Sequence, residues 1–137
     1  MAGWIEKAEN DLDNAVHTAA RGEDCPTDTV CFHAQQCAEK YLKGLLVHLG
    51  LDFPRTHDLE VLIALAPEDL DLALSAEQQR TLTAYATITR YPGDYEPIPL
   101  PEAKRAILLA RRVRTAVRRV LPKEVLAKKK RQSPEKR

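Results

Sequence analysis

The stretch from Val30 to Leu49, VCFHAQQCAEKYLKGLLVHL, fixes most of what this chain can become. At 100° per residue, Val30, Ala34, Cys37, Ala38, Tyr41, Leu42, Leu45, Leu46 and Leu49 fall on one broad face. That spacing fits an amphipathic helix and not a strand, whose side chains alternate with period two. So wide an apolar face has to be covered by neighbours of matching pattern. The other side carries His33, Gln36, Glu39, Lys40 and Lys43, with Glu39 and Lys43 four residues apart. Phe32 and Val47 interrupt that polar side. Apolar anchors among polar residues suit a second protein surface, which makes these two the candidate dimer contacts; a loop laid over Phe32 is the structural alternative.

Matching helices are legible on both sides. Trp4, Ile5, Ala8, Leu12, Ala15, Val16 and Ala19 give an amphipathic helix over 3–21, with Gly22 as its stop. Thr27 or Asp28 is placed to cap the central helix, and Gly50 to end it. Residues 57–65, HDLEVLIAL, read as a short third helix, with Asp58 in its first turn and His57 as a cap or a site residue. Ser75 and Gln78 form a capping box that opens a fourth helix to about Thr89. Pro92, Gly93, Pro97, Pro99 and Pro101 mark a loop, and Pro101 suits the first turn of a fifth helix. Its apolar stripe is Ala106, Ala110, Val113, Val117 and Val120, and Pro122 stops it. No alternating pattern stands out. The expectation is an all-α, up-and-down bundle of four to five helices over residues 1–122, one domain for 137 residues.

Charge divides unevenly along the chain. Residues 1–102 hold 7 Lys/Arg and 18 Asp/Glu, a balance of −11, whereas residues 103–137 hold 14 and 2, a balance of +12. Such a split marks either an anionic partner, nucleic acid above all, or a basic end folded onto an acidic body. Arg111, Arg112, Arg118 and Arg119 form a basic stripe leading into residues 123–137, which have too little apolar material for a core and read as a disordered basic tail.

Three cysteines, no apolar leader and no membrane-length apolar run point to a cytoplasmic protein with reduced thiols. Cys25, Cys31, His33 and Cys37 lie within thirteen residues, but Cys37 is on the apolar face and no CxxC pair is present. Core cysteines are the better reading than a tetrahedral zinc site. The sequence calls for no metal and no cofactor.

The order of WIEKAENDLDNA, CFHAQQCAEKYLKGLL, THDLEVLI and TRYPGDY along residues 4–121 resembles the HEPN family, the helical domains named for higher eukaryotes and prokaryotes nucleotide binding. The resemblance implies a helical bundle that pairs as a homodimer. It also implies one of several roles: a metal-independent ribonuclease, a partner of a separate minimal nucleotidyltransferase in a toxin–antitoxin pair, or a non-catalytic member. The family's ribonuclease motif is an Arg followed, after four to six residues, by a His. Arg90 matches the Arg, but Tyr95, Glu96 and Pro97 stand where the His belongs. A permanently charged Arg stabilises a phosphate but moves protons poorly. What remains is a binding loop in which Arg90 grips phosphate and Tyr91 and Tyr95 stack on bases, with Asp94 beside them. Gln36, Lys40 and Lys43 are its expected polar neighbours. The expectation is a dimeric nucleotide- or RNA-binding protein; a ribonuclease using Arg90 with an atypical acid–base, and a purely interacting helical protein, stay open.

Overall fold

The computed structural model describes residues 2–87 and 97–130, the side chains of 3–87 and 97–126 among them. Helix α1 spans Ala2–Ala19, α2 Thr27–His48, α3 Leu59–Leu65 and α4 Ala76–Ala84; a 3-10 turn follows at Tyr85–Thr87, then α5 at Leu100–Val120 and α6 at Lys123–Lys130. No strand occurs among the described residues, so the chain is all-α as the periodicity requires.

Helix α2 is the axis of the core. Val30, Ala34, Cys37, Ala38, Tyr41, Leu42, Leu45 and Leu46 are buried along it. Ile5, Ala8, Leu12, Ala15 and Ala19 of α1 cover one flank, and Ala106, Ala110, Val113 and Val117 of α5 cover another. Each buried Leu or Ile contributes about 1.5–3 kcal/mol relative to exposure, so this three-helix seam dominates stability. Gly44 permits the closest approach. A Cβ there would lie 3.0 Å from Trp4 Cβ and 3.1 Å from Ile5 Cδ1.

The ends of the elements partly depart from the sequence signals. Gly22 and Gly50 stop their helices with φ of 90° and 72°, and the Ser75–Gln78 capping box forms in both directions. At α2, however, Pro26 is the N-cap, and Thr27 and Asp28 fall inside the first turn. Thr27 Oγ1 instead donates to the Ile98 carbonyl at 2.7 Å. Helix α3 starts at Leu59, two residues late, because Asp58 is its N-cap and accepts from the Glu60 amide; His57 lies before it. Helix α4 ends at Ala84 in a tighter turn, and the expected extension to Thr89 lies outside the described residues. Leu49 and Val120 are exposed, each at the end of its helix. Residues 123–130, expected to begin a disordered tail, form α6. Val125 and Leu126 give it enough apolar surface to pack against the core, which the count of its lysines concealed.

Candidate functional site

The polar side of α2 is not a solvated face. Glu39 and Lys43 are buried because α1 and residues 53–58 close over them. Glu39 Oε2 accepts from Lys43 Nζ at 2.9 Å. Glu39 Oε1 accepts from Gln35 Nε2 and pairs with His57 Nδ1, both at 2.9 Å. Gln35, fully buried, also donates to the His57 carbonyl and accepts from Gln36 Nε2 at 2.7 Å. Lys43 Nζ sits 5.8 Å from the ring centres of both Trp4 and Phe53, which meet edge to face. Burial alone pushes the Glu39 carboxyl up, but the hydrogen bonds from Lys43, Gln35 and His57 outweigh it and hold the group below its ordinary value.

A second cluster bridges α1 and α2. Asp11, buried on α1, takes His33 Nδ1 on Oδ1 and Lys40 Nζ on Oδ2, each at 2.7 Å. Nδ1 is therefore the ring nitrogen that faces the Asp11 carboxyl. An orienting acid behind a half-buried imidazole is an arrangement that can move a proton. Motif spacing did not find this pair, because Asp11 is 22 residues from His33. One signal was available: Asp11 interrupts the apolar stripe of the first helix, and a carboxylate there needs partners.

The third cluster ties α5 to the core. Glu9 accepts from Arg114 Nε at 2.7 Å and from the Tyr41 hydroxyl, and Arg118 reaches Tyr41 Oη at 3.1 Å. Burial pushes Glu9 up, yet the bonds from Arg114 and Tyr41 leave its carboxyl below the ordinary range. Burial and the Glu9 carboxylate push the Tyr41 hydroxyl up, so it stays protonated. Arg118 therefore does not belong to an outward basic stripe. Arg111 and Arg119 do face solvent, and Arg112 is half-exposed.

The remaining sequence candidates divide. Arg90, Tyr91, Asp94 and Tyr95 lie outside the described residues. The residues on either side are tied down: the Tyr85 hydroxyl donates to Glu102 of α5, and Ile98 is held by Thr27 at the start of α2. Gln36, Lys40 and Lys43 are all engaged within the chain, Lys43 in the buried pair. Phe32 and Val47 are 39% and 40% exposed, so no described loop covers them. Burial pushes the Cys37 thiol up, as do the Glu9 and Asp11 carboxylates behind it, and all three cysteines are buried and unbridged. Among the described residues no three His, Cys, Asp or Glu side chains converge as metal ligands, and no helix is long and apolar enough to cross a membrane.

Comparison with known proteins agrees with this architecture. No curated protein matches. The crystal structure of TT1696 from Thermus thermophilus is similar at 32% identity, over 87% of this chain and 96% of that one, with a TM-score of 0.70. The crystal structure of ST0689, an archaeal HEPN homologue, is similar at 31% identity, over 85% and 93% of the two chains, with a TM-score of 0.65. The profile of the HEPN domain matches residues 1–120, and the chain belongs to that family.

Proposed function

We propose that this protein is a HEPN-type nucleotide- or RNA-binding homodimer of the cytoplasm that works beside a separate nucleotidyltransferase in a toxin–antitoxin pair. The observation that carries the reading is the frame around residues 88–96. Tyr85 is fastened to Glu102 and Ile98 to Thr27, so the chain on either side of Arg90, Tyr91, Asp94 and Tyr95 is held to α5 and to the start of α2. Loops held on rigid scaffolds are where binding groups concentrate. Arg90 supplies the phosphate grip and the two tyrosines the stacking surfaces. Phe32 and Val47, exposed on α2, are the anchors of the homodimer. The basic residues of 123–137 add affinity for the polyanion.

The experiment is binding of a labelled single-stranded RNA and of ATP by wild type and Arg90→Ala. A charge-assisted hydrogen bond is worth about 1.5–3 kcal/mol, so the variant loses about ten- to a hundredfold in affinity with an unchanged melting curve. Arg90→Lys recovers only part, because an ammonium lacks the planar fork. Equal affinity in all three proteins overturns the reading.

A second reading, metal-independent endoribonuclease, is favoured by the Asp11–His33 pair. It supplies the proton-carrying group that the sequence lacks after Arg90. Cleavage by wild type that is lost in both Arg90→Ala and His33→Gln establishes it; retention in His33→Gln removes His33 from the reaction.

A further inference from the structure

We propose that the groove between residues 71–73 and the outer side of α5 is a second binding site, for a phosphate-bearing ligand. The hollow has a volume of about 320 Å³, within the range of small-molecule sites. Arg111, Arg112 and Arg119 line it together with Leu72, Leu108 and Asp71. Three guanidinium groups thus share the hollow with one carboxylate, Asp71, which accepts from the Ala73 amide at 3.0 Å, while Asp69 borders the adjoining hollow beside Arg119 and leaves the cations in excess. Ala73 has a left-handed φ of 56°, and its carbonyl receives Arg112 Nη1 at 3.1 Å. The strained turn holds Arg112 at the rim while its remaining N–H groups stay available.

Arg111 and Arg119 have no carboxylate or carbonyl partner among the described residues. This sets them apart from Arg114 and Arg118 of the same helix, which are drawn onto Glu9. Eight residues of helix separate Arg111 from Arg119, about 12 Å along the axis. The cations therefore bracket the groove and do not converge on one point. A ligand with several phosphate oxygens along its length satisfies them, as a nucleic-acid backbone or a polyphosphorylated nucleotide does. Leu108, half-exposed, and Leu72 give an apolar floor for a flat group attached to those phosphates. The residues that line it fall in 71–73 and 108–119, so its test leaves Arg90 untouched.

The test compares the full chain with Arg111→Ala/Arg119→Ala and with Arg21→Ala/Arg55→Ala, which removes the same charge from exposed positions elsewhere. Probes are a fluorescent single-stranded oligouridylate, ATP and inorganic triphosphate. The groove variant is expected to lose about tenfold in affinity and to flatten the salt dependence of oligouridylate binding by about 1.4 in log–log slope, the share of two phosphate contacts on a single strand. The control variant is expected to bind nearly as wild type. A loss confined to oligouridylate identifies a strand as the ligand, and a loss for ATP and triphosphate identifies a free polyphosphate; either supports the site. Equal losses in the two double variants would show diffuse surface charge and overturn it, as would wild-type affinity in the groove variant for every probe. Since Arg90 is intact in all these proteins, an Arg90→Ala result bears only on the proposed function above.

Discussion

On α2, Glu39, Lys40 and Lys43 each have an oppositely charged partner within 2.9 Å; on α5, Arg111 and Arg119 have none among the described residues. Both helices alternate apolar and charged residues at helical spacing. What separates them is what lies across from the charges. Helix α2 is flanked by α1 and by residues 53–58, which bring Asp11, Trp4, Phe53 and His57 to its polar side. Among the described residues, Arg111, Arg112 and Arg119 on the outer side of α5 face the turn at 71–73, and Arg111 also borders the end of α1. A charge at a helical position thus becomes a structural part or an available binding group according to its neighbour, not its own identity. Within α5 the contrast repeats, because Arg114 and Arg118 find Glu9 while Arg111 does not.

The contrast breaks most severely if the Glu39 cluster proves dispensable. Glu39→Ala leaves the Lys43 ammonium buried without its counter-charge, which costs about 3–5 kcal/mol in comparable pairs. Urea unfolding measures it, and a loss below about 1 kcal/mol would mean that water reaches Lys43 and that the face is solvated after all. Acid adds a second view. The Glu39 and Glu9 carboxyls are held below their ordinary values in the folded chain, so the unfolded chain binds more protons as pH falls. Their stabilisation is complete above the unfolded carboxylate pKa, about 4.3, and disappears as pH drops through the lower folded values. Glu39→Gln should therefore show a shallower loss of stability on acidification than wild type. Parallel pH profiles would show that Glu39 is not depressed.

A smaller effect tests how α1 is seated over α2. Gly→Ala inside a helix ordinarily gains up to about 1 kcal/mol. At Gly44 the new Cβ would meet Trp4 Cβ at 3.0 Å, close to the backbone of α1 and unable to swing away. Overpacking of this kind costs about 1–3 kcal/mol, so Gly44→Ala is expected to lower the melting temperature. A rise would place α1 further from α2 and loosen the lid over Lys43.

The backbone of this fold was legible because its signals are local. The α2 stripe, the Ser75–Gln78 box and the two stopping glycines each act within one or two turns of chain, and each is where the sequence places it. The site was less legible because its contacts are not. Asp11 meets His33 across 22 residues and Glu9 meets Arg114 across 105, and no helical wheel shows which partner helix faces a given side. The same blindness made Lys43 look exposed and Arg118 look free. It also made residues 123–130 look structureless, since two apolar side chains suffice to dock a helix when a core edge is waiting for them.

The smallest expected effects decide whether the arginines of α5 truly divide into two kinds. Arg114 donates to both oxygens of Glu9, at 2.7 and 3.3 Å, and its guanidinium is half-buried. Arg114→Ala removes two of the hydrogen bonds to the Glu9 carboxylate, leaving Tyr41 and the more distant Arg118, and should cost about 1–3 kcal/mol. Arg111→Ala and Arg119→Ala remove exposed cations that have no carboxylate partner among the described residues, and surface changes of that sort stay within about 0.5 kcal/mol. Removing like charge from a helix that also carries Arg112 and Arg118 relieves repulsion, so the sign for these two is expected to be neutral to slightly stabilising. Thermal unfolding of the three single variants, at low and at high salt, makes the comparison direct. Salt should shrink any gain at Arg111 and Arg119, where the charges are exposed, and leave the Arg114 loss largely intact, where they are partly shielded from solvent. A loss at Arg111 or Arg119 as large as that at Arg114 would mean that these side chains hold the turn at 71–73 in place. Their availability to a ligand would then be lost, and with it the distinction between the inner and outer sides of α5.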